Sequence, residues 1–160
     1  MKPSLYLETT IPSYLAARPS HDPLIGGQQA ATKTWWRPRR RYFELFTSQF
    51  VQNEATLGEA KIAAKRLQIL RPIQKLHITI QVDDLARRIL TTHLLPAKAA
   101  VDAFHIATAT IHGMHFLLTW NCAHINNGEI IPDIERLAAD EGYVLPVICT
   151  PLELMGVSET

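Results

Sequence analysis

The sequence predicts a single α/β domain with a central, mostly parallel sheet flanked by helices, an α/β/α sandwich. Short apolar runs suited to strands alternate with longer segments whose apolar residues recur at helical spacing. That alternation is the pattern of parallel strands joined by helical crossovers. The 160 residues fit one domain with its own core, and no repeat, low-complexity tract or long linker divides them. Hydrophobic residues at 47% and charged residues at 19% exclude a disordered chain.

The elements follow in order. Residues 5–7 form an apolar strand that ends at Glu8-Thr9-Thr10, and Pro12 suits the first turn of a helix over 12–17. Asp22-Pro23 reads as the cap and first position of a helix over 23–36, with Pro38 as breaker. The aromatic-rich stretch 41–47 is expected as the second strand. Ser48 then caps a short helix, 49–56, stopped by Gly58, and good helix formers continue over 59–70 to Pro72. β-branched content marks 76–80 as the third strand. Val82, Leu85, Ala86, Ile89 and Leu90 repeat at helical spacing. Pro96 opens an apolar helix that Gly113 stops, and 115–119 is a buried strand. A helix over 132–140, closed by Gly142, and a strand over 144–149 complete the chain.

Composition narrows the function. A net charge of +1 excludes a generally basic nucleic-acid coat, though not a local patch. Two cysteines, Cys122 and Cys149, form no CxxC pair and favour a reducing, cytoplasmic setting. The first residues turn polar too soon for a signal peptide, and no run approaches the roughly 18 apolar residues of a membrane helix.

Topology then gathers the acids. In a parallel sheet every strand's carboxyl end lies on one edge, where ligands bind. Glu8 follows the first strand and Asn121 the strand 115–119, so both reach that edge. Asp102, in the first turns of the helix leading into that strand, starts near the same edge, and Glu54 reaches it if the second strand is parallel too. Carboxylates converging in one cleft repel one another and need a cation; oxygen ligands suit Mg²⁺ or Mn²⁺. Such ions activate water against a phosphodiester. Each acid also has a bland reading: Glu8 as a helix cap, Asp102 as a first-turn acid favoured by the helix dipole, Glu54 as a solvated helix face.

Four segments, YLETTIPSYL (6–15), SQFVQNEATLGE (48–59), DAFHIATA (102–109) and LLTWNCAHINN (117–127), carry a likeness. The chain resembles the PIN-domain ribonucleases, within them the VapC-like toxins of type II toxin–antitoxin systems. The resemblance implies a PIN-like domain and a Mg²⁺- or Mn²⁺-dependent endoribonuclease. Glu8, Glu54 and Asp102 fall on the family's three main acids, as metal ligands and catalytic residues, with Glu59 competing for the place of Glu54. RNA is then the substrate and an antitoxin protein the partner. Two departures stand out: Glu8 replaces the usual Asp, and Asn121, followed by His124, occupies a loop that commonly carries a further acid. They leave open a second reading, a catalytically weakened PIN-fold module that binds RNA or a protein without cutting.

Further residues are candidates for substrate contact or support. His105 lies one turn from Asp102 and is spaced either to orient it or to serve the core. Thr9 and Thr10 are placed to hold Glu8 or simply to cap the loop. Arg39 and Arg40, in a basic stretch beside Trp35 and Trp36, suit single-stranded RNA, an antitoxin partner or a solvated turn. The tryptophans, read as exposed, join the family tendency in pointing to a homodimer. Cys122 has no neighbouring base and reads as packing.

Overall fold

The computed structural model describes residues 1–157. Five strands build one sheet: β1 (Ser4–Leu7), β2 (Glu44–Ser48), β3 (Gln74–Leu76), β4 (Phe116–Leu118) and β5 (Val147–Cys149). Their order is β3-β2-β1-β4-β5 and every neighbouring pair is parallel. The connections are α1 (Thr10–Ala16) and α2 (Pro23–Trp36), α3 (Gln49–Ala55) and α4 (Ala60–Leu70), α5 (Ile80–Thr91) and α6 (Ala100–Ile111), then α7 (Ile131–Asp140). No described helix is long and apolar enough to cross a membrane.

Strand alternation divides the core into two layers. Tyr6, Leu117 and Ile148, which neighbour one another across the ladder, face a cluster that includes Val51, Leu85, Ile89, Ile106 and Ile134 of the helices after β2. Leu5, Leu7, Leu118 and Cys149 face the other way, onto Ile11 of α1 and Trp35 of α2. Both faces are covered, which is why the strands read as apolar runs without polar alternation.

The chain runs outward from β1 to β2 and β3, then returns to the other side of β1 for β4 and β5. The direction of winding therefore reverses at β1/β4, and the crevice outside the carboxyl ends of those strands is where open α/β sheets bind ligands.

Helix limits follow local chemistry. Asp22 accepts from the amides of Leu24 and Ile25, so α2 begins at Pro23, where a missing N–H costs nothing. Ser48 caps α3 and Thr79 caps α5. Strand limits depart from the expected ones. Residues 40–42 form a turn of 3₁₀ helix, so β2 starts only at Glu44. The third strand lies at 74–76, not 76–80, because Thr79 turns the chain into α5 by accepting from the amide of Val82. Pro146 has no N–H for the ladder, and β5 begins one residue later than it, not at 144. Pro96 is followed first by 3₁₀ geometry at Ala97–Ala99, and α6 proper opens at Ala100. Trp35 is fully buried, so it supplies no exposed dimer surface.

Candidate active site

β1 ends at the centre of the sheet, and the next residue, Glu8, turns its carboxylate into the β1/β4 crevice. The Glu8 amide donates to the Leu118 carbonyl (3.1 Å), which extends the ladder by one bond and fixes the backbone there. Its Oε1 accepts from the hydroxyls of Thr119 (2.6 Å) and Thr10 (2.7 Å), and its Oε2 from the amide of Thr10 (2.9 Å). Only 3% of the residue is exposed. Burial pushes the Glu8 carboxyl above the usual carboxylate range, against the opposing pull of His105 and of these hydrogen bonds. A carboxylate offers about four acceptor sites, and three are used.

Glu54 comes to the same place from α3. Its Oε1 accepts from Thr9 Oγ1 (2.6 Å) and from His105 Nε2 (2.6 Å). Partial burial pushes its carboxyl up, but His105, by hydrogen bond and charge, and Thr9 outweigh this and hold it below the usual value. Oε2 of Glu54 has no hydrogen bond among the described residues.

His105 is fully buried, and its other nitrogen, Nδ1, meets the Tyr6 hydroxyl at 2.7 Å. That hydroxyl meets Ser48 Oγ, also at 2.7 Å. Burial drives the Tyr6 pKa upward, so the phenol keeps its proton for this chain. Glu54 is thus backed by His105, Tyr6 and Ser48 in turn, and a ligand carboxylate held this way has a fixed orientation. Of the two readings of His105, orienting Asp102 or serving the core, the bond to Asp102 is not formed: the buried ring is taken by Glu54 and Tyr6.

Atoms of Glu8, Glu54 and His105 lie within 4.8 Å of one another, close enough to share an ion. Asp102, in the first turn of α6, is bonded through Oδ2 to His124 Nδ1 (3.0 Å). It stands outside that group of three but joins it through the loop after β4. Thr119, bonded to Glu8, accepts from the Asn121 amide (2.9 Å), and Asn121 Oδ1 accepts from the His124 amide (3.0 Å). Asn121 therefore shapes the loop that carries His124 to Asp102. Trp120, between them, is anchored by its amide to Thr10 Oγ1 (2.8 Å) and by its ring N–H to Thr32 Oγ1 (2.7 Å).

Other candidates lie elsewhere. Glu59 is exposed and pairs with Arg18 at 2.7 Å. Arg39 and Arg40 precede β2, beside the amino end of β1, where the Glu44 amide donates to the Pro3 carbonyl. They sit at the opposite edge of the sheet from Glu8. Arg39 bonds the Leu154 carbonyl and lies over the Tyr42 ring, and Arg40 lies over Trp36. Thr9 bonds Glu54, whereas Thr10 bonds Glu8. Cys122 is exposed rather than packed, and partial desolvation of its thiol, with the charge of Glu153, raises its pKa, so it is no thiolate nucleophile. Tyr6, Ser48 and Thr119 were not singled out as site residues from sequence. The available signals were a phenol inside an apolar strand and a hydroxyl residue at the end of another.

The donors fit a hard divalent cation. Glu8 has an unused acceptor site, Glu54 an unbonded oxygen, and the buried charge on Glu8 is one that a cation would relieve. Both ring nitrogens of His105 are engaged, leaving oxygens as the ligands.

No family model matches the chain, and no curated protein does. Among solved structures, it is similar to the sarcin–ricin loop cleaving toxin VapC20 of Mycobacterium tuberculosis, with a TM-score of 0.60 and 17% sequence identity. The match covers 78% of this chain and 95% of that one. The parallel five-stranded sheet, its covering helices and this likeness together give the chain a PIN-like α/β/α fold, similar to that of the toxin.

Proposed function

We propose that the chain is a metal-dependent endoribonuclease of PIN type, the toxin half of a toxin–antitoxin pair. The observation that carries this is the meeting of the Glu8 and Glu54 carboxylates at the β1/β4 crevice of a PIN fold. Glu8, Glu54 and Asp102 are the residues that would hold Mg²⁺ or Mn²⁺, with Asn121 completing the catalytic set by holding the loop. A divalent ion held there would supply charge to offset that on the phosphate.

The protein's own part is orientation. Glu54, held ionised by His105 and Thr9, directs its free Oε2 toward the attacking water. Asp102 carries His124, whose Nε2 has no hydrogen bond among the described residues, at the mouth of the site. In this reading the partner is an antitoxin protein that silences the enzyme, the active form is a homodimer, and the setting is cytoplasmic.

Replacing Asp102 with Asn is expected to lower Mn²⁺-supported RNA cleavage at least about 100-fold, a scale common for loss of one catalytic group, with an unchanged circular-dichroism spectrum. Undiminished cleavage by that variant would reject the assignment. A Mn²⁺ titration separates the weakened-module reading: a competent site binds the ion and loses it on substitution of Glu8 or Glu54, whereas a decayed one binds RNA without any metal dependence.

A further inference from the structure

Beyond Glu54 the same sheet edge continues outward to β2 and β3. Phe50 lies one helical turn before Glu54 on α3, on the same face. It is only half-buried and belongs to neither core cluster. Its neighbours are Phe104 of α6, with ring centroids 4.8 Å apart and planes 38° apart, and the site's own His105, edge-on at 6.4 Å. Next to Phe50, Gln49 accepts from Lys75 Nζ (3.3 Å). Gln49, Lys75 and His77 line a surface groove of about 590 Å³ at the carboxyl ends of β2 and β3. Lys75 is exposed, and no carboxylate pairs with it among the described residues.

An aromatic ring outside both core clusters and against the site's His105, a cation without a carboxylate partner on the neighbouring Gln49, and a groove beside them are the parts of a single-stranded nucleic-acid track. We propose that this edge is an RNA subsite: an unpaired base stacks on Phe50, backed by Phe104, and the adjoining phosphate lies against Lys75. The choice of ligand rests on the ribonuclease reading of the acidic site. It adds a requirement to that reading. A base within a duplex has no free face to offer Phe50, so the preferred substrate is an unpaired segment, not a continuous helix.

The test measures binding of a short, unstructured, fluorescein-labelled oligoribonucleotide to the full chain by anisotropy, without added divalent metal. Phe50→Ala is expected to weaken binding about 10-fold with the salt dependence unchanged, and Phe50→Trp to restore it. Lys75→Ala should lower the slope of log affinity against log salt by about 0.7, the share of one phosphate on a single strand. A fully paired hairpin should bind without sensitivity to Phe50. Unchanged oligonucleotide affinity in Phe50→Ala overturns the proposal. If that variant also sediments as a smaller species, the aromatic pair is a contact between copies of the chain. Adding Mn²⁺ to the same mixtures separates the two readings. Phe50-dependent binding with no cutting by the wild type supports the subsite and rejects the nuclease, whereas cutting with no dependence on Phe50 does the reverse.

Discussion

Glu8 places its carboxyl where water barely reaches, and the raised pKa that results costs the protein stability. Its raised pKa sets the sign. Below the usual carboxylate range Glu8 is protonated folded or unfolded and contributes nothing, whereas above it folding must either desolvate the anion or take up a proton, at a cost in stability. Glu8→Gln is therefore expected to raise the melting temperature of the metal-free protein by ~3 °C, about 1 kcal/mol, at neutral pH. Scanning calorimetry should show the gain vanishing in acid, and cleavage should be lost throughout. Thr47 presents a different residue-scale cost. Its hydroxyl is buried in β2 with no hydrogen-bond partner among the described residues, so Thr47→Val, which keeps the shape, should stabilise by about 1 kcal/mol in denaturant unfolding. That Glu8 lies at the carboxyl end of the first strand and Asp102 in the first turn of its helix could be read from sequence, because topology places both; Glu54 reaches Glu8 from the last turn of α3. The partners of Glu54 could not, because the bonds from His105 and Thr9 join residues 51 and 45 positions apart. Such contacts follow from packing, which spacing along the chain does not encode.

At the scale of elements, capped helices such as α2 announced their limits more sharply than the strands did. Asp22 and Pro23 mark the start of α2 in two adjacent letters, since capping is a contact between near neighbours. Asp22→Ala should cost about 1 kcal/mol of stability and leave the metal-dependent activity intact, because α2 starts outside the acidic crevice. The displaced third strand shows the opposite case. LHITI has β-branched content suited to a strand, but the hydroxyl of Thr79 is worth more as the cap of α5, and residues 77–79 leave the sheet. A β-propensity describes fit to a half-buried surface, and this stretch lies past the end of its only neighbour, β2, whose last residue pairs with Leu76.

Across the whole molecule, burial is deepest at the middle of the sheet. Leu5, Tyr6, Leu7, Leu117 and Leu118 are all fully buried, whereas β3 and β5, at its two edges, each begin with exposed residues. Native-state hydrogen exchange should therefore find the slowest amides in β1 and β4 and the fastest strand amides in β3 and β5, since local opening costs least where burial is least. An order reversed from this would contradict the topology. The alternation of strands and helices foretold the parallel class, while the order β3-β2-β1-β4-β5 was settled by side chains that cover both faces. That order also fixes when the protein becomes what it is. Glu8 is made well before its bonding partner Thr119, which lies 111 positions later. A ribosome-bound chain has its first acid long before it has the strand that completes the crevice, so an unfinished copy carries no assembled site. For a protein read as a toxin, synthesis itself is a safety interval, open until β4 docks against β1.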